Sequence, residues 1–264
     1  MRRDFTDQMG RPVAVNWPPM RIVSLVPSQT ELLFDLGVGG RVVGVTDFCT
    51  EPADALRDLA RIGGTKRFLF DRIDALEPDL LIGNREENYP EGIARLAERH
   101  PVWMSDILVL EHALAMIRAV AELVGAGDAG PDLAGRIEDA FAALDAEGPA
   151  MRAAYLIWKK PWMVAAAGTF IDDMLRRAGF ANVFGDRQRY PETGIEELRA
   201  RAPDVVMLSS EPFPFGEEHV AELAEQLPDA HVIRVDAMPF SWYGSRLIEA
   251  PRYFRELRLQ LAAN

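Results

Sequence analysis

The sequence is poor in the groups that usually carry out chemistry. It holds one cysteine, Cys49, so no disulfide can form within the chain and cysteine usage does not report a redox compartment. Its four histidines, His100, His112, His219 and His231, fall at helix ends, on helices or at a strand start, not in loops that follow strands. No HExxH and no Cys/His ligand spacing occurs, so no dedicated metal cage is expected. There is no GxSxG elbow, and Ser24 and Ser28 lack an evident base. Gly37-Val38-Gly39-Gly40 is followed by no Lys-Ser/Thr and is not placed like a dinucleotide fingerprint. Asp172-Asp173 and Glu86-Glu87 read as solvated acids. Basic charge is also short: 29 Lys and Arg against 41 Asp and Glu leave a net charge of −12, which speaks against a nucleic-acid partner. No stretch approaches the ~20 apolar residues of a membrane span. Met1-Arg2-Arg3 leads into acidic and polar residues rather than an apolar leader core. As it stands the chain reads as cytoplasmic; the alternative is a periplasmic or cell-surface protein whose leader has been removed.

What is present is a well-patterned α/β chain. Hydrophobic residues make up 48% and charged residues 27%, so 264 residues suffice for one large core or two of ordinary size. The organising stretch runs from Gly127 to Met151. Pro131 suits a first helical turn, Leu133, Ile137, Ala140, Phe141 and Leu144 fall on one face, and Gly148-Pro149 stops the helix. About 18 residues at 1.5 Å each span roughly 27 Å, enough to pass between two compact lobes.

Related patterns flank this helix. DRIDALEPDLLIG (71–83) and GIEELRARAPDVVMLSS (194–210) both read as a short helix, then Pro-Asp, then an apolar strand. SQTELLFDLGVGGRVVGVTD from Ser28 and GTFIDDMLRRAGFANVFGD from Gly168 both read as a polar cap, a helix, a glycine stop and an apolar segment. Two echoes in the same order predict an α/β fold of two lobes, each a parallel-type sheet flanked by helices, joined by one long rigid helix. The expected division is 1–126, 127–148 and 149–264.

Along the first lobe the pattern predicts a hairpin at 5–15, strands at 21–26, 42–45, 80–82 and 102–104, and helices at 53–59 and 110–124. In the second it predicts strands at 153–158, 163–166 and 231–235 and helices at 171–177, 217–226 and 246–261. Residues 236–245 are expected to form a long aromatic loop. Ligands of open parallel sheets sit at the carboxyl ends of the strands. The loops there hold Phe48, Tyr89, Trp158, Trp162, Phe213, Phe215, Phe240, Trp242 and Tyr243, which suggests stacking on a large, partly apolar planar ligand. The same loops supply Ser28, Gln29 and Cys49, and the cations Lys66, Arg67, Arg85, Lys159 and Arg246 suit an anionic chelate.

RIVSLVPSQTELLFDLGVGGRVVGVTDF, DRIDALEPDLLIG, the linking helix, GFANVF, RAPDVV and the SWYGSR loop together resemble the solute-binding proteins of ABC importers for vitamin B12, iron–siderophores and haem. The resemblance covers nearly the whole chain and leans towards the cobalamin-binding branch. It implies two lobes holding a ligand in the cleft between them, with little closure on binding. It places Phe48 and Cys49 where that branch sets an aromatic against the corrin, and Trp242-Tyr243 on its second-lobe aromatic loop. The aromatic that the branch carries near Thr65 is missing here. The resemblance also assigns Asp71 and Glu196 to docking against arginines of an ABC permease. The function so implied is binding of a corrinoid such as cobalamin, or of an iron chelate or haem, by a monomer that needs no cofactor and is not an enzyme. The alternative is a cytoplasmic enzyme acting on a cofactor-like substrate in the same cleft.

Overall fold

The computed structural model describes residues 1–144 and 149–263. The chain divides into two compact units, one of Met1–Ile107, Glu111–Glu138 and Tyr243–Arg246, the other of Leu108–Leu110, Asp139–Trp242 and Leu247–Asn264. The boundary thus falls inside a helix rather than at its ends, and a four-residue segment of the later chain returns to the first unit.

In the first unit a hairpin of β1 (Arg2–Thr6) and β2 (Pro12–Asn16) turns at Gly10, whose φ of 75° suits glycine. There follow β3 (Ile22–Ser24), α1 (Pro27–Asp35), β4 (Val42–Val45), β5 (Ala60–Arg61), β6 (Gly63–Gly64) and β7 (Arg67–Phe68). Next come α2 (Phe70–Ala75), β8 (Leu80–Asn84), α3 (Pro90–Ala97), β9 (Val102–Ser105), α4 (Leu110–Val124) and α5 (Ala129–Ala142). The main sheet runs β5-β4-β3-β8-β9, and every pairing in it is parallel. From β3 the chain builds outward to β5, then resumes on the other side with β8 and β9. That reversal puts a crevice at the carboxyl ends of β3 and β8, the usual place for a ligand in such sheets. Both strands are buried along their length, as the unbroken apolar runs require.

Of the helix expected over 127–148, α5 forms Ala129–Ala142; residues 143–144 continue as turn and coil, and residues 145–148 lie outside the described residues. The helix expected over 53–59 is instead a run of turns. The Arg61 guanidinium takes the carbonyls of Thr46, Cys49 and Leu56, and these contacts hold the segment back on itself.

The second unit contains β10 (Met151–Trp158), β11 (Trp162–Val164), α6 (Phe170–Arg177), β12 (Phe180–Asn182), β13 (Glu192–Thr193) and α7 (Ile195–Arg201). It continues with β14 (Val205–Ser209), α8 (Glu217–Gln226), β15 (His231–Val235), α9 (Met238–Ser241) and α10 (Ala250–Ala262). Strand β10 lies parallel to β12 and β14, and β14 parallel to β15; β11 and β13 extend the sheet antiparallel. Its core gathers Ala154, Leu156, Val164, Phe184, Leu198, Val206, Leu208 and Leu223. The expected aromatic loop 236–245 contains α9, and the closing helix starts at Ala250 with Pro251 in its first turn, where a missing N–H costs nothing.

The internal repeat extends to individual atoms. The Asp79 carboxylate accepts from the backbone N–H of Met20 and Arg21 at 2.8 Å, and the Asp204 carboxylate accepts from Arg152 N–H at 2.7 Å. Arg21 in turn donates to the Leu76 carbonyl, and Arg152 to those of Ala202 and Arg201. In each unit the aspartate of Pro-Asp therefore ties the start of its strand to the start of the neighbouring strand. An arginine there satisfies the carbonyls left over at the helix end.

Candidate ligand-binding site

At the strand ends of the first unit, buried amides knit the loops together. Asn84, the last residue of β8, donates through Nδ2 to Ser105 Oγ at 3.0 Å, and its Oδ1 accepts from Glu86 and Glu87 N–H. Asn88 accepts from Asn84 N–H at 2.9 Å and donates to the carbonyls of Leu25 and Thr65. Gln29 Nε2 donates to Ser105 Oγ at 2.6 Å. Beside them Cys49 Sγ lies 3.1 Å from Thr30 Oγ1 and 3.2 Å from Thr46 Oγ1, and burial pushes its thiol pKa up. Ser28, Gln29 and Cys49, three of the expected ligand contacts, are all buried, with Gln29 and Cys49 tied to neighbouring hydroxyls.

The segment Tyr243–Arg246 lies on this crevice. Tyr243 donates its hydroxyl to Glu87, Ser245 to Asp35, and Arg246 holds Glu31 through two nitrogens, Nε at 3.0 Å. A Cβ on Gly244 would stand 2.5 Å from the Ser28 carbonyl oxygen, so only glycine fits there. Burial, then the nearby Glu87 charge, hold the Tyr243 phenol far above its usual range. Burial also raises Glu31 in spite of Arg246, because desolvation of the carboxylate outweighs its hydrogen bonds. Tyr243, only 5% exposed, is therefore a buried anchor, and Arg246 is committed to Glu31.

To one side of the crevice stands the β6–β7 hairpin. Phe48, 61% exposed, covers it: a Cβ on Gly64 would meet the Phe48 ring at 3.1 Å. Lys66 donates to the Glu86 carbonyl at 2.6 Å, Arg67 is exposed, and Arg85 pairs with Asp106 at 2.7 Å, which raises its pKa.

At the strand ends of the second unit the aromatics form a cluster. Trp158, 40% exposed, meets Phe213 edge-on at 5.5 Å between ring centroids; Phe213 lies 4.7 Å from Phe215; Phe215 stacks on Trp162 at 6.0 Å and 7°. His219 packs its ring against both phenylalanines and accepts through Nδ1 from Gly216 N–H. Lys159, bonded to Glu222, sets its ammonium 5.1 Å from the Trp162 ring. Of the other aromatics expected on the site, Phe240 is fully buried against Tyr155 and Phe254, and Trp242 is buried with Nε1 donating to Glu211 at 2.7 Å. Partners for the Trp and Tyr polar atoms explain why these rings turn inward. Asp71 and Glu196 lie in the first turns of α2 and α7, both exposed, and Glu196 is within 3.2 Å of Arg199.

Sequence reasoning missed Glu31, Glu87, Asn84, Asn88, Ser105 and His219. Asn84 and Asn88 carried a signal: two amides four apart just after a buried strand, each needing partners. Glu31 and Arg246 are 215 residues apart, and no local pattern links them. An open cavity of about 510 Å³ lined by Arg3, Trp17, Arg118, Glu122 and Asp128 lies elsewhere. Arg41, just before β4, reaches the Val124 carbonyl beside it, which places the cavity at the amino ends of the strands. Among the described residues no group of His, Cys, Asp and Glu could hold a metal ion.

A doubly wound parallel sheet with aromatic strand-end loops defines the class first: an α/β binding protein. The family follows from comparison. Residues 22–230 match the model of the family described as periplasmic binding protein, and the chain belongs to that family. The vitamin B12-binding protein of Vibrio cholerae serotype O1 is 27% identical over 203 residues, covering 75% of this chain and 73% of that protein. Among solved structures, the periplasmic heme-binding protein RhuT from Roseiflexus sp. RS-1 superposes with a TM-score of 0.79 at 27% identity, covering 92% and 98% of the two chains. The periplasmic vitamin B12-binding protein BtuF of Vibrio cholerae shares the fold, with a TM-score of 0.80 at 23% identity over 94% and 99%.

Proposed function

We propose that this protein is a non-catalytic carrier of a large, flat-faced tetrapyrrole-type ligand, a corrinoid or a haem, or failing those an iron chelate. The observation that carries this is the cluster Trp158, Phe213, Phe215 and Trp162 at the ends of β10 and β14, with the outermost ring partly exposed. Such a surface suits stacking on a planar face and would overfill a site for a sugar or amino acid. Relatives named for vitamin B12 and for heme support the same ligand class. The carboxylates described at the site are engaged in holding loops together, not in activating a nucleophile.

In this reading the protein acts as a monomer and delivers its ligand to an ABC permease, with Asp71 and Glu196 offered to permease arginines. Of the two compartments weighed from sequence, the periplasmic one agrees with the family's description. Native mass spectrometry of the protein purified from its own cells tests the reading. An intact tetrapyrrole released unchanged supports it, whereas a chemically altered product formed on incubation would make the protein an enzyme.

A further inference from the structure

The crevice at β3 and β8 is already occupied by the protein's own Tyr243 and Gly244, packed against Glu87 and the Ser28 carbonyl. Of the five cations singled out near the strand ends, four are engaged: Lys66 with Glu86, Arg85 with Asp106, Lys159 with Glu222 and Arg246 with Glu31. Arg67 has no side-chain partner among the described residues and is exposed. Its position is specific. Gly64 and Arg67 are direct partners in the antiparallel β6–β7 pair, and such partners project to the same face. The Gly64 Cβ direction meets the Phe48 ring, so that face is the one Phe48 covers. Phe68, next in the strand, points the other way and is buried. An exposed aromatic ring and an uncommitted guanidinium therefore share one face of one small hairpin.

We infer that Phe48 and Arg67 are the ligand-selecting groups of the first unit, and that they select a flat ligand with a carboxylate at its edge. The inference rests on the tetrapyrrole reading and narrows it: a porphyrin bearing free carboxylates is preferred to a corrinoid whose side chains are amides. Phe48 supplies the stacking surface for either ring, and Arg67 supplies a bidentate donor suited to a carboxylate at the ring's edge, where a corrin carries neutral amides. Arg67 is already exposed, so its pairing needs no protein contact to be broken first.

Haemin and cobalamin titrated separately into the intact protein test this, following tryptophan quenching and the visible bands at low and raised salt. Arg67→Gln should weaken haemin roughly tenfold, as loss of a charge-assisted pair does, and flatten its salt dependence. It should leave cobalamin within about twofold, while Phe48→Ala weakens both. Equal weakening of both ligands by Arg67→Gln would mean that the side chain shapes the hairpin, and would overturn the inference. So would unchanged haemin binding in Arg67→Gln with binding still lost in Phe48→Ala, which leaves the tetrapyrrole reading intact. If the unaltered protein binds neither ligand more tightly than ~100 μM, both the reading and the inference fail.

Discussion

At the scale of single residues, burial decides which chemical groups are available. Cys49 is 1% exposed and its thiol is pushed up by burial, so the reactive thiolate is scarce and shielded. A thiol reagent should label the native protein very slowly and the urea-unfolded chain at once; rapid native labelling would contradict this placement. Asp173 is a second case. From α6 its carboxylate accepts from Leu110 N–H at 2.9 Å, satisfying an orphan donor at the start of α4, and it pairs with Arg176 and Arg177. Asp173→Ala should cost ~1–3 kcal/mol, measured by urea unfolding, because a buried N–H loses its acceptor. Asp74 bears on pH. Its hydrogen bond from His100, aided by Arg99, holds the carboxyl below its usual range. The folded chain then binds that proton less tightly than the unfolded chain does. The stabilisation is present above the ordinary carboxylate range and is lost as pH falls through the depressed value. On the acid side the stability gap between the parent and Asp74→Asn should therefore narrow as pH falls; a gap that widens would reverse the assigned sign.

At the scale of elements, what was legible and what was not divide along physical lines. Elements with a strong period or clear punctuation, such as Leu110–Val124, Glu217–Gln226 and Val42–Val45, lie where their patterns put them. Both repeat copies also fold as read, because Pro-Asp marks the same backbone junction in each. The helix expected over 53–59 does not form, because the contacts that bend these residues come from Arg61, outside the window. The site was less legible than the fold. Aromatics in loops signal a ligand only if they stay outside, and Trp242, Tyr243 and Phe240 turn inward where Glu211, Glu87 and a packed core receive them. The clasp Tyr243–Arg246 depends on partners more than 150 residues away in sequence. Gly244→Ala tests it directly. A methyl 2.5 Å from the Ser28 carbonyl must displace backbone, so ~1–3 kcal/mol should be lost, and amide exchange across Ser28–Leu33 should quicken. Unchanged exchange there would mean the segment does not hold α1.

At the scale of the whole molecule, the repeated α/β plan puts an exposed aromatic ring after a parallel strand in each unit, Phe48 after β4 and Trp158 at the end of β10. The chain belongs to the family described as periplasmic binding protein. Trp158 is the residue on which the account turns: it is the partly exposed edge of the second unit's cluster, whereas Trp242, the sequence-based candidate, is buried. The decisive measurement is a calorimetric titration of the intact protein with haemin, cobalamin and a ferric catecholate, repeated on Trp158→Ala. The account predicts one-to-one binding of a tetrapyrrole, weakened by ~1–3 kcal/mol when the ring is removed. Absence of binding by all three, or a tetrapyrrole affinity indifferent to Trp158, would contradict it.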